Sequence, residues 1–159
     1  MQKEISAGII IYRNTPEGPR FLILYHGKGY WNFPKGKIEQ EERSFQTAVR
    51  EIMEETGLLR KDLNIANNFK AYERFVFWRK IDEQRTKIFK IVIFYLAETK
   101  MKAIKISEAK EGQPHEGFAW FTYKEAIKVL TKNADSRKIL KQAYDFLRKQ
   151  GFGNRQKNL

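Results

Sequence analysis

The sequence predicts an α/β fold, and three observations carry that reading. Runs rich in Ile, Val, Phe and Tyr recur along the first hundred residues with the composition of strands. Between them, Ser44 to Thr56 switches to a helical period, and two more helical stretches stand near the C-terminus. At 159 residues the chain is the size of one domain with a core of its own. A domain over 1–150 is expected, followed by a frayed tail over 151–159.

The first two strands are ISAGIIIYR and RFLILYH, and the NTPEGP between them has the Asn, Pro and Gly of a hairpin loop. HGKGYWNFPKG, dense in Gly and aromatics, reads as an irregular loop. In the helix that follows, 100° steps gather Phe45, Ala48, Val49, Ile52 and Thr56 into one apolar stripe, with Glu51, Glu54 and Glu55 on another face. Gly57 stands where a left-handed residue would end that helix. Strands are expected over Asn68 to Trp78 and Lys87 to Glu98, joined through KIDEQRT, and a short one over Lys102 to Ser107. GQPHEG reads as a loop and FAWF as a brief strand. A helix over Tyr123 to Lys132 turns Ala126, Ile127 and Leu130 inward. A last one over Asp135 to Lys149 has Asp135 or Ser136 as its N-cap.

Composition narrows the function classes. With 42% hydrophobic and 14% aromatic residues, a disordered or fibrous chain does not fit. The absence of cysteine excludes disulfide frameworks, iron–sulfur clusters and thiol catalysis. The apolar run Ile9 to Tyr12 is too short for an export signal, and the seven residues from Ile91 to Ala97 fall far below the ~20 that span a bilayer. A cytoplasmic protein without a membrane partner is expected, and nothing in the pattern demands an obligate protein partner. The formal charge of +12 points to phosphate-bearing partners. It is unevenly spread: Gly36 to Gly57 holds six acids against three bases, a net of −3, so the rest of the chain carries +15.

That acidic segment carries the chemistry. It contains Gly36, five residues, Glu42, seven residues, Arg50 and Glu51, then Ile52, Glu54, Glu55, Gly57 and Leu58. Three carboxylates at i, i+3 and i+4 repel one another by a few tenths of a kcal/mol per pair, and an oxygen-only set of this kind suits a hard cation such as Mg²⁺. Taken alone, the three glutamates read more readily as a solvated helix face. The glycines and Arg50 at this spacing reverse the balance, because the pattern resembles the Nudix hydrolase signature at every defining position. Seven fixed residues would coincide by chance with a probability of roughly 10⁻⁶ to 10⁻⁵.

The resemblance implies an α/β/α sandwich with a mixed sheet. It also implies attack of water on a phosphorus of a nucleoside diphosphate derivative, with Mg²⁺, or Mn²⁺, bridging phosphate oxygens. It makes Glu51 and Glu55 the principal metal ligands, with Gly36 offering its carbonyl nearby. Glu54 would serve as ligand and as general base or water-orienting group, with Glu51, Glu98 and Glu116 as rivals for the base. Arg50 would orient a glutamate, and Glu42 is either its partner or a further ligand.

YWNFPKG, KIVIFYLAE and HEGFAW resemble the asymmetric diadenosine tetraphosphate hydrolases of that family. By that resemblance Lys35 and Lys90 reach the polyphosphate and Phe118 helps hold adenine. Read from composition alone, Phe118 is a core residue and Lys90 a side chain on an exposed strand. Tyr30 and Tyr72 are candidate base-stacking groups or half-buried aromatics. His115 either meets a phosphate or is a solvated loop residue. Pro114 stands where the bacterial pattern has an acid, which leaves Glu116 as the nearest carboxylate. The expected reaction is hydrolysis of diadenosine tetraphosphate to ATP and AMP. WNFPKG also resembles RNA 5′-pyrophosphohydrolases, and the +7 of Met101 to Leu159 would hold an RNA 5′ end. A third reading, from another class, is a nucleotide- or RNA-binding module without hydrolysis.

Overall fold

The computed structural model describes residues 1–106, 117–132 and 134–152. Its strands are β1 (Gln2–Thr15), β2 (Gly18–Tyr25), β3 (Trp31–Asn32), β4 (Lys35–Lys37), β5 (Asn64–Ile65), β6 (Ala71–Ile81), β7 (Gln84–Glu98) and β8 (Gly117–Phe121). The helices are α1 (Ser44–Thr56), α2 (Tyr123–Val129) and α3 (Ala134–Leu147). A 3₁₀ turn covers Arg60–Asp62, and a π turn over Arg148–Phe152 extends α3.

β1 and β7 run parallel from Gln2 opposite Ile88 to Tyr12 opposite Glu98, and the other pairings are antiparallel. The sheet is therefore mixed, in the order β3-β2-β1-β7-β5, with β4 on β1, β6 on β7 and β8 on β2. Strand alternation sends successive side chains to opposite faces. Ile10, Tyr12, Phe21, Ile23, Val92, Phe94 and Leu96 pack under α2 and α3 with Ala126, Leu130, Ile139, Leu140 and Ala143. Ala7, Ile9, Ile11, Leu22, Tyr95 and Ala97 pack under α1 with Ala48 and Ile52. The expected α/β/α sandwich is what the chain forms.

Helix α1 has the expected bounds. The Gln46 side chain accepts from the Arg43 backbone N–H at its start, and Gly57, at φ 74°, donates to the Met53 carbonyl at its end. Elsewhere the structure corrects the expectations. HGKGYWNFPKG is only partly irregular, because Trp31–Asn32 and Lys35–Lys37 find open edges on β2 and β1. Both hairpin turns are tighter than read, with two residues between Thr15 and Gly18 and two, Asp82 and Glu83, at positive φ between Ile81 and Gln84. No strand forms over residues 102–106: the Lys102 carbonyl accepts from the Trp120 indole and the Lys105 N–H donates to the Thr56 carbonyl, so this backbone meets α1 and β8 side-on. α2 ends at Val129 and α3 starts at Ala134, so neither Asp135 nor Ser136 caps it. Ser136 is buried and donates to Glu73 Oε1 at 3.0 Å. Ser107, the GQPHE part of the predicted loop and residues 153–159 of the predicted tail lie outside the described residues.

Two glycines let β4 lie close to both β1 and α1. A Cβ on Gly8 would stand 2.2 Å from the Pro34 carbonyl oxygen, and one on Gly36 would stand 1.9 Å from the Glu51 carboxyl carbon. Gly117, by contrast, has no described neighbour within 4 Å of such an atom. Gly8→Ala should therefore lower unfolding stability by ~1–3 kcal/mol through overpacking against backbone. Gly117→Ala should stay within about 0.5 kcal/mol of the parent. Urea unfolding of the two variants measures the difference.

Candidate active site

The site is assembled where α1 passes over β4. Gly36 is opposite Ala7 in the register, so it faces α1, whereas Lys35 and Lys37 flank it and face the α3 side with Gly8 and Ser6. The Glu51 carboxylate lies against the Gly36 backbone, in the space a side chain would fill. Glu55 Oε2 accepts from the Lys35 backbone N–H at 2.9 Å. One three-residue strand thus holds two of the three helix carboxylates.

Arg50 ties the others together. Its Nε and Nη2 donate to the two oxygens of Glu42 at 2.8 and 3.0 Å, a bidentate pair, and Nη2 also donates to the Lys37 carbonyl at 3.0 Å. Its Nη1 donates to Glu51 at 2.9 Å and to Glu54 at 3.3 Å. Glu42 further accepts from the Glu39 N–H and the Thr47 hydroxyl. The Arg50 guanidinium and the Glu39 N–H hold the Glu42 carboxyl down at about 2. In this structure both oxygens of Glu42 are bonded to Arg50.

Glu55 behaves oppositely. Burial, reinforced by the nearby Glu51 charge, pushes its carboxyl up to about 8 despite Lys35. On the other face of the sheet lies a mostly basic cluster. Lys90 sits on β7 between Glu4 of β1 and Phe75 of β6. Burial, then the charge of Lys35, lowers its ammonium to about 8. Glu4 pairs with Lys37 at 3.1 Å and with Arg79, while the buried Glu73 carboxyl is raised by burial and feels both Lys35 and Lys90. The β4 backbone therefore separates an excess of carboxylates from an excess of cations.

A family model described as NUDIX domain matches residues 2–143. The chain belongs to the Nudix family. Its relatives include the asymmetrical bis(5′-nucleosyl)-tetraphosphatase of Sus scrofa, 31% identical over 152 residues, which span 89% of this chain and 94% of the relative. An RNA pyrophosphohydrolase of Vibrio cholerae is 29% identical over 126 residues, 75% of this chain and 70% of that protein. A crystal structure of a C. elegans Ap4A hydrolase binary complex superposes with a TM-score of 0.72 at 24% identity, covering 91% of this chain and 97% of that one, and so shares the fold. The expected Nudix hydrolase is met at the level of the family.

The Nudix helix α1 gathers Glu51, Glu54, Glu55 and Arg50 with Gly36 and Glu42 in one place. Lys35 and Lys90 meet on the opposite face. The remaining predicted residues are dispersed. Tyr30 lies in the β2–β3 loop, its ring 5.6 Å from His26, whose imidazole bonds Asn32. Tyr72, exposed on β6, faces away from Lys90 and lies under the Arg74 guanidinium. Phe118 is half-buried on β8 beside the α1-side core. Glu98 accepts from Asn14 at 3.1 Å at the far end of β7, five residues along β1 from the register of Gly36, roughly 17 Å. His115, Glu116 and Pro114 lie outside the described residues. The reading from sequence missed Glu4, Glu73 and Arg79, whose shared face follows from strand parity once the register is known.

The donor set fits a hard divalent cation, which Nudix hydrolases generally use. Its oxygens are carboxylates, one of them seated on a glycine backbone and another pushed toward its neutral form by burial and the Glu51 charge. Among the described residues no group of three such side chains is already closed around one point, and Nη1 of Arg50 engages Glu51 and Glu54.

The folded-state pKa of Glu55 lies above its ordinary value, so the native state binds this proton more tightly than the unfolded chain does. This contribution to stability is present below about 4.5 and is lost as pH rises toward 8. Glu55→Gln keeps an acceptor for the Lys35 N–H but cannot ionise. In EDTA its melting temperature should exceed that of the parent by several degrees at pH 9, and the gap should close by pH 5. Thermal unfolding across that range checks the sign.

Proposed function

We propose that this Nudix protein hydrolyses dinucleoside polyphosphates, with diadenosine tetraphosphate split to ATP and AMP, using Mg²⁺ or Mn²⁺. The observation that carries the reading is the pair of opposed clusters on either side of β4: Glu51, Glu54 and Glu55 on one, Lys35 and Lys90 on the other. A long polyphosphate is a ligand that needs both. The tetraphosphatase relative supports the substrate, and the carboxylate set supports the cation.

Glu51, Glu55 and Glu54, with the Gly36 carbonyl, would hold the ion, which when bound neutralises phosphate oxygens and acidifies a coordinated water. Lys35 and Lys90 bind and orient the phosphate chain. Arg50, fixed by Glu42, positions Glu51 and Glu54. Glu54, whose side chain is more exposed than that of Glu51, takes the proton of the attacking water. The water oxygen bonds to phosphorus, the bridging P–O bond breaks, and the leaving phosphate departs with the electron pair.

An RNA 5′ end is the second reading, favoured by the RNA pyrophosphohydrolase relative and tested with 5′-triphosphate RNA beside the dinucleotide. Release of ATP and AMP in equal amounts from diadenosine tetraphosphate, seen by chromatography, is the expected result. Glu54→Gln and Glu55→Gln should each lower turnover by about 10³-fold, ~4 kcal/mol of transition-state stabilisation. Wild-type turnover by either variant at saturating Mg²⁺ would overturn these roles.

The pH profile follows from two groups that titrate in opposite senses. Glu55 must lose its proton, raised to about 8 in the metal-free site, and Lys90 must keep its own, lowered to about 8. At limiting Mg²⁺, kcat/KM should therefore rise toward pH 8 and fall above it. More Mg²⁺ should move the acid limb to lower pH and leave the alkaline limb in place. Lys90→Met should raise KM and flatten the alkaline limb.

A further inference from the structure

Toward its turn, the β6–β7 hairpin exposes side chains that a sheet face ordinarily buries. On the face opposite Lys90, β6 presents Tyr72, Arg74, Val76 and Trp78, with Lys87 directly across from Trp78. Tyr72, Val76 and Trp78 are 43%, 48% and 53% exposed. The two outer rings are already paired with cations: the Arg74 guanidinium lies 4.9 Å over Tyr72, and that of Arg85 lies 4.9 Å over Trp78. No carboxylate occupies a strand position on this face of β6 and β7. The one cation here with a described acidic partner in the turn, Lys80, pairs with Glu83 at 2.6 Å. Lys3, opposite Phe89 on β1, continues the positive charge.

An exposed patch that joins flat rings to fixed cations calls for a partner with flat faces and negative charge. A second copy of the chain fits badly, because a two-fold contact would set Arg74, Arg85 and Lys87 against the same charges. Trp78 stands six positions along the strand from Tyr72, roughly 20 Å, which is a track rather than a pocket for one base.

We infer that this hairpin face binds single-stranded nucleic acid, with bases stacking on Trp78 and Tyr72 and phosphates meeting Arg74, Arg85 and Lys87. Every base offers a ring face, so the track is tolerant of sequence. The inference does not rest on the hydrolysis proposed above. A 5′-hydroxyl oligonucleotide carries no polyphosphate for the carboxylates and lysines on either side of β4.

The experiment is fluorescence anisotropy of a labelled twelve-nucleotide oligouridylate with a 5′-hydroxyl, titrated with the full chain in EDTA. Saturable binding is expected, and its log affinity should fall against log salt with a slope near −2, about −0.7 for each of three phosphates neutralised. Trp78→Ala and Arg85→Glu should each weaken binding tenfold or more, while Trp78→Phe retains it. All three variants should hydrolyse diadenosine tetraphosphate at the parent rate, which also shows that they fold. The inference is overturned if the parent does not bind, if Trp78→Ala and Arg85→Glu bind like the parent, or if a duplex of equal length binds as well. It is overturned too if Trp78 is needed for sedimentation with phosphatidylserine vesicles and not for the oligonucleotide. Loss of turnover in the variants would overturn the placement of this surface outside the catalytic site. Hydrolysis without oligonucleotide binding would sink this inference alone, and binding without hydrolysis would sink only the proposed reaction.

Discussion

The contact on which the site depends is the seating of the Glu51 carboxylate on the bare backbone of Gly36. A helix packs against a strand at a distance set by the side chains between them, and here one of those side chains is missing. The helix carboxylates therefore reach the strand itself, and the Lys35 N–H can bond Glu55. Gly8 makes the same allowance on the other face of the sheet, where a Cβ would meet the Pro34 carbonyl oxygen. With side chains at both glycines β4 could not approach β1 and α1 so closely, and Lys35 would no longer share a backbone with the seat of the carboxylates.

That shared backbone sets the electrostatics. Like charges are concentrated on each side of β4, and each group is pushed toward neutrality: Glu55 upward by burial and Glu51, Lys90 downward by burial and Lys35. On the proposed reading a metal-bound polyphosphate would relieve both, its cation answering the carboxylates and its oxygens the ammonium groups. Arg50 limits the repulsion in the meantime. It engages Glu42, Glu51 and Glu54 together, and its bidentate grip on Glu42 fixes the guanidinium plane so that Nη1 falls between the other two.

The charge of the chain is correspondingly divided. The net −3 of the Nudix segment is packed into one crossing of helix and strand. Part of the surplus lines the α3 side of the sheet through Lys35, Lys37, Lys90 and Arg79. Another part lies along the β6–β7 hairpin, where guanidinium groups rest on exposed rings. These lysines and arginines are sorted by strand parity into two faces with different neighbours.

The fold class and α1 were legible in the sequence because both rest on local rules. An apolar stripe at helical spacing, a glycine at the left-handed end and two turn-bounded apolar runs need no distant partner to be read. The signature glutamates were legible for the same reason, since i, i+3 and i+4 define one helix face wherever the helix goes. The strands β3 and β4 escaped notice because two or three residues have no periodicity of their own; only an open edge on β2 and β1 makes them strands. Residues 102–106 failed in the opposite sense, their strand-like composition being overridden by bonds to Thr56 and from Trp120. What the sequence determined by itself was which helix carries the Nudix glutamates and which residues stand on its acidic face. What only the tertiary structure decided was their company: that Glu42 holds Arg50, that Glu55 meets the Lys35 backbone, and that Glu4, Glu73 and Arg79 surround Lys90. Those neighbours come from strand register, in which a shift of one residue exchanges the two faces of the sheet, and register is settled by packing across the whole domain.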